Sequence, residues 1–143
     1  MFDNKFMNSA ILMARIALLN EEVPIGAVII DPNTNSVISS AYNLIESKKD
    51  PTAHAEMLVI QQACNILSSK NLEGLDLYVT LQPCPMCFHA IMYARIKRLY
   101  FGAYDLTRKL SQSLTNHNLE IYGGIEEKTC KSLLDNFFTR KRL

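Results

Sequence analysis

Residues 54–56 read HAE and residues 83–87 read PCPMC, and this pair of short motifs leaves the chain less freedom than any other feature. A zinc ion is well served by one neutral imidazole and two thiolates, with a fourth position left open to water. His54, Cys84 and Cys87 supply such a set. To serve one ion, the two segments must be brought to one point by whatever lies between them. Glu56 follows a ligand by two residues and is not needed on the metal, so it is the carboxylate available to move protons.

Taken singly, the motifs admit other readings. A Cys-x-x-Cys can be a redox pair or half of a structural zinc knuckle, and a lone His-x-Glu says little. A redox pair belongs early in a βαβ unit, however, and a structural knuckle wants a fourth tightly spaced ligand. The remaining cysteines, Cys64 and Cys130, lie in apolar stretches of helical pattern with no partner at such spacing, and read as buried structural thiols.

Hydrophobic periodicity places these motifs. Phe6, Ala10, Met13, Ala14, Ala17 and Leu18 share a helical stripe over 5–19. Two strands follow at 25–31 and 37–42, joined by PNTNS turn chemistry into a hairpin. A helix is predicted over 53–68 with Thr52 as its N-cap, then a buried strand over 75–81. Pro83 and Pro85 break the chain before a helix carrying Cys84 and Cys87 near its start. Two helix N-termini should therefore meet at the metal, where their dipoles favour thiolates and an anionic nucleophile. A strand at 98–101, an ambiguous segment to His117, a short strand at 120–122 and a helix over 126–140 complete an alternating α/β order.

The 143 residues make one domain, large enough for a real core. The apolar run from Ala10 to Leu19 is interrupted by Arg15, lacks the flanks of a signal peptide and is too short to span a bilayer, so neither export nor a membrane is expected. With two of four cysteines assigned to metal, the cytoplasm is the default compartment. Formal net charge is only +1, but it is uneven: residues 1–71 hold 5 basic and 7 acidic side chains, residues 72–143 hold 10 and 7. Arg95, Lys97 and Arg98, then Arg108 and Lys109, then Arg140, Lys141 and Arg142 form basic clusters, which read as solvated surface unless they surround the cleft.

The runs EVPIGAVI at 22–29, DPTAHAE at 50–56, LYVTLQPCPMC at 77–87, ARIKRLYFGAYD at 94–105 and DNFFTRKR at 135–142 resemble, in order, the bacterial tRNA-specific adenosine deaminases. The resemblance implies a cytidine-deaminase-like fold, a three-layer α/β/α arrangement around a five-stranded mixed sheet. It implies a homodimer with one Zn2+ per subunit that converts the wobble adenosine of a tRNA anticodon stem-loop to inosine, with no action on DNA expected. Carried over by motif, His54, Cys84 and Cys87 hold the zinc and Glu56 shuttles protons. Asn43 contacts the base in the same comparison, though its position alone favours reading it as a turn residue ending a strand. The Ala55 backbone, the Pro24, Ile25 and Gly26 loop, Pro83 and Asp105 line the substrate pocket, and Arg140, Lys141 and Arg142 meet the RNA. Phe137 and Phe138 together read as core anchors and pocket wall, in preference to stacking platforms. Two departures from the family pattern are Gln82, where glutamate is usual, and LTRKLSQS at 106–113, which lacks glycine. The motifs around the metal also resemble guanine and other free-base deaminases, and a zinc-stabilised RNA-binding module without turnover is a third reading.

Overall fold

A computed structural model describes residues 4–107 and 118–141. The first helix, α1 (Lys5–Leu19), lies on the hairpin of β1 (Gly26–Asp31) and β2 (Ser36–Tyr42). Its small residues Ala10, Ala14 and Ala17 are fully buried, which lets the helix backbone come down onto the strand. The approach is close enough that a Cβ at Gly26 would stand 2.1 Å from the Ala10 carbonyl oxygen. Asn35 closes the hairpin in the left-handed region at φ 54°, where asparagine is among the better-tolerated residues.

The sheet runs β2-β1-β3-β4-β5, with β3 at Asp76–Leu81, β4 at Arg98–Ala103 and β5 at Glu120–Tyr122. β1 is antiparallel to both β2 and β3, whereas β3, β4 and β5 run parallel to one another. Alternation along β1 sends Ala27 and Ile29 to one face and Val28 and Ile30 to the other. Both faces are covered, which is why β1 reads as an unbroken apolar run instead of alternating with polar residues. On one face lie α3 (Ala55–Leu67) and α4 (Pro85–Tyr93), which bury Leu58, Val59, Phe88 and Ile91 against Leu77, Leu99 and Phe101. On the other lie α1 and α5 (Glu127–Lys141), through Phe6, Met7, Ile11, Leu133 and Leu134. Burying one such side chain fully is worth about 1.5–3 kcal/mol. The three-layer mixed-sheet architecture is the one expected, and no helix among the described residues is long and apolar enough to cross a membrane.

Three local expectations are corrected. The helix over 53–68 begins at Ala55, and its N-cap is His54, not Thr52. Thr52 instead donates its hydroxyl and backbone N–H to Asp50 Oδ1 at 2.7 and 2.9 Å, a turn closed on itself before the helix starts. A short helix, α2 (Ile45–Lys48), was not foreseen. It has too few residues for periodicity to show, and its first turn is held from outside: the Glu22 carboxylate accepts the N–H of Glu46 at 3.0 Å and the N–H and hydroxyl of Ser47 at 2.7 and 2.6 Å. Cys130 is buried as expected, but Cys64 is only partly so.

Candidate active site

Two helices begin at the same point. His54 is the N-cap of α3 and Cys84 the N-cap of α4, both in extended backbone conformation, and neither uses its side chain to cap its helix. Both side chains are therefore left to another task. The orphan amide of α3 is satisfied from elsewhere, since Ala55 donates its N–H to Asn43 Oδ1 at 2.8 Å. Pro85, in the first turn of α4, has no N–H to satisfy. Cys87, three residues beyond Cys84, projects from the first turn of α4 toward the same place.

The result is a compact donor set. His54 Nδ1 lies 3.7 Å from Cys84 Sγ and 3.4 Å from Cys87 Sγ, and all three ligand atoms fall within 4.8 Å of one another. A tetrahedral zinc with ordinary Zn–S and Zn–N bonds separates nitrogen from sulfur by about 3.6 Å. The residues thus fit the ion without rearrangement. Burial, with Glu56 and Cys84 beside it, pushes the Cys87 thiol far above its ordinary value. A divalent cation reverses such a shift by binding the thiolate. Glu56, in the first turn of α3, is 4% exposed. Burial pushes its carboxyl up to about 7, against hydrogen bonds from its own backbone N–H and from Cys87 that favour the anion.

A cleft of about 480 Å³ opens over this cluster. Its walls come from the segment after β2 (Asn43, Ile45), the end of β3 (Leu81, Gln82), the end of β4 (Ala103 to Leu106) and one face of α5. Among the residues singled out by sequence, His54, Glu56, Cys84, Asn43, Ile25 and Asp105 line it. Pro24, Gly26, Ala55 and Pro83 are buried behind the wall. The Gly26 N–H is donated to Thr80 Oγ1 at 3.1 Å and the Ala55 N–H to Asn43. Arg140 and Lys141 lie with Leu18, Glu21 and Phe137 along a separate groove between α1 and α5. Arg142, Arg108, Lys109 and His117 lie outside the described residues. The cluster at 95–98 does not reach the cleft: Arg98 pairs with Asp76 at 3.1 Å and Arg95 with Glu73 at 3.4 Å.

Of the wall that α5 supplies, sequence reasoning singled out Phe138 and missed Lys131, Leu134 and Asp135. Lys131, Leu134, Asp135 and Phe138 form one stripe of α5 facing the cleft, at i, i+3, i+4 and i+7 spacing. Phe138 stands on the wall and Phe137 in the core, a division between the two that the sequence left open. Lys131 pairs with Asp135 at 2.5 Å, with both side chains more than half exposed, so the pair adds little to stability and leaves charge at the rim.

Comparison with known proteins gives a consistent result. A family described as MafB19-like deaminase matches residues 1–142. The tRNA-specific adenosine deaminase of Rickettsia bellii is 42% identical over 144 residues, spanning 95% of this chain and 99% of that protein. That of Bacillus subtilis is 40% identical over 148 residues, spanning 98% and 91%. A solved structure from a study of A-to-I editing by tRNA:A34 deaminases at the wobble position of transfer RNA superposes with a TM-score of 0.84 at 41% identity, covering 92% of this chain and all of that one.

Proposed function

The chain belongs to the tRNA-specific adenosine deaminases within the MafB19-like deaminase family, and from that premise we propose how its own residues carry out the reaction. The enzyme hydrolyses adenosine at the wobble position of a tRNA anticodon to inosine, consuming water and releasing ammonia. The observation that carries the reading is the convergence of one imidazole nitrogen and two thiol sulfurs beside a buried carboxyl at the floor of an open cleft.

His54, Cys84 and Cys87 hold a zinc ion, one per subunit. When bound, zinc supplies Lewis acidity that makes water available as hydroxide near neutral pH. Glu56 takes the proton from the attacking water and delivers it to N1 of adenine as the new C6–O bond forms. It then passes a proton to the departing amino group as the C6–N bond breaks, so that ammonia leaves. A carboxyl that burial raises to about 7 is suited to proton transfer in both directions. Asn43, its Oδ1 committed to Ala55, is left with an amide NH2 on the cleft wall to orient the base.

A base inside a helix cannot present C6 to this floor, whereas an anticodon loop offers an unstacked base at low cost. Arg140 and Lys141, in the last turn of α5, and Arg142 after them meet the RNA backbone outside the cleft itself. Pro24, Ile25, Gly26, Ala55, Pro83 and Asp105 shape the pocket around the nucleotide. Homodimerisation and a cytoplasmic location belong to the same reading. Ile66, Leu67 and Tyr93, exposed near the ends of α3 and α4, offer apolar surface to a second copy. Sedimentation of a monomer at micromolar concentration would count against the dimer. The decisive assay is inosine formation by the zinc-loaded protein on an anticodon stem-loop with adenosine at the wobble position, beside free guanine and cytosine. Inosine from the RNA is expected; ammonia from a free base with the RNA untouched overturns the reading.

A further inference from the structure

The parallel ladder of β3 and β4 ends at the pair Leu81 and Ala103. Gln82 donates its backbone N–H to the Ala103 carbonyl at 2.9 Å, and there the two chains part. One turns through Pro83 to the ligand Cys84, while the other runs along the cleft as Tyr104, Asp105 and Leu106. The Asp105 amide has left the ladder, and a side chain replaces the missing rung: Gln82 Oε1 accepts that N–H at 3.0 Å. Beyond it the segment closes on itself, with Asp105 Oδ1 accepting the N–H and hydroxyl of Thr107 at 3.0 and 2.6 Å. Tyr104 is anchored separately, its ring edge-on to Phe101 at 4.9 Å between centroids.

Gln82 is 6% exposed, and it lines the cleft. A long polar side chain is expensive to bury at the mouth of a site unless its hydrogen bond does something the backbone cannot. We propose that Gln82 is a positioning residue for substrate binding: its Oε1 fixes the turn at 105–107 at the height where Asp105 and Leu106 face the target nucleotide. Loss of that bond loosens the Asp105 amide and with it the start of the turn, while Tyr104 stays held by Phe101. The zinc ligands and Glu56, held at the N-caps and first turns of α3 and α4, are not disturbed. Gln82 therefore acts on the ground-state fit of the nucleotide and not on the chemical step.

The activity part of this inference rests on the deaminase reading; the tether itself does not. The test compares Gln82→Met, Gln82→Asn and Gln82→Glu in the full, zinc-loaded chain. Methionine fills the space without an acceptor, asparagine is polar but too short to reach, and glutamate keeps an oxygen at the bonding atom. Removing a buried acceptor is expected to speed hydrogen exchange of the Asp105 amide about tenfold in the first two variants. The same variants raise KM for the anticodon stem-loop about tenfold, with kcat within about twofold and zinc content unchanged. Gln82→Glu restores both readouts toward wild type. Unchanged exchange and KM in Gln82→Met and Gln82→Asn, a fall confined to kcat, or no rescue by glutamate would each overturn the proposal. Absence of inosine from the wild-type protein refutes the deaminase reading instead, and the exchange measurement still decides whether the tether exists.

Discussion

Asn43→Ala and Asn43→Asp separate two duties of one side chain. Asn43 Oδ1 accepts the Ala55 N–H at 2.8 Å, and the two residues are 2% and 0% exposed, so no water can take the oxygen's place. Loss of a helix cap costs about 1 kcal/mol, and a buried donor left unsatisfied costs about 1–3 kcal/mol. Alanine should therefore destabilise the protein by about 2 kcal/mol. In a domain of this size each kcal/mol moves Tm by about 4 °C, which gives a fall of about 8 °C in thermal denaturation of the zinc-saturated protein. Aspartate keeps an acceptor at the same atom, and a carboxylate at a helix N-terminus is favoured by about 0.3–1 kcal/mol, so its Tm should stay within about 3 °C of wild type. What aspartate loses is the donor facing the cleft, and kcat/KM on the stem-loop should fall about tenfold or more despite the retained stability. An alanine variant melting within about 2 °C of wild type would refute the cap, and an aspartate variant with full activity would refute the donor.

Glu56→Gln keeps the shape of the floor but cannot carry a proton; kcat should fall between about a hundredfold and ten-thousandfold with zinc content, measured by elemental analysis, unchanged. Retained turnover would remove Glu56 from the mechanism. Burial alone would raise the Glu22 carboxyl, but its bonds from Ser47 and the Glu46 amide outweigh that and hold it below the ordinary value of 4.5. A depressed folded pKa means its contribution is present above about pH 4.5 and is lost as pH falls through the folded value. Glu22→Gln should thus melt below wild type at neutral pH, with the two curves converging on acidification; a gap independent of pH would contradict this. Gly26→Ala places a methyl 2.1 Å from the Ala10 oxygen and 2.5 Å from the Ala14 nitrogen, both backbone atoms that move only with the helix. The expected cost is about 1–3 kcal/mol or more, and an unchanged Tm would show that α1 can lift off the sheet freely.

The donor cluster was legible because ion chemistry dictates both residue type and spacing: only a few side chains can hold zinc, and His54, Cys84 and Cys87, drawn from two short segments, converge in space. The sheet was legible for a related reason. β1 is apolar without interruption, and only a strand covered on both faces reads that way. The start of α3 was misplaced because Asp50, Pro51 and Thr52 carry a helix-start signature, while the oxygen that caps the helix belongs to Asn43, twelve positions earlier. α2 escaped notice because what holds it is the Glu22 carboxylate, from another part of the chain. The cleft wall was only half visible: Lys131 and Asp135 reach it through the packing of α5 on the sheet, a relation that no local pattern encodes. The basic cluster at 95–98 drew attention by composition, yet Arg95 and Arg98 are engaged by Glu73 and Asp76.

The donor set also has a mechanical consequence. His54 and Cys87 lie 33 positions apart in the chain, so an ion gripping both closes a loop of that length. A covalent bridge over the same span removes about 4 kcal/mol of chain entropy from the unfolded state, and a metal clip that persists only in the folded state draws on a comparable reserve. The ion is then a fastener as much as a reagent. If such an ion is held there, chelation should lower resistance to unfolding and turnover together, a coupling that thermal denaturation and inosine formation followed over one chelator titration would read.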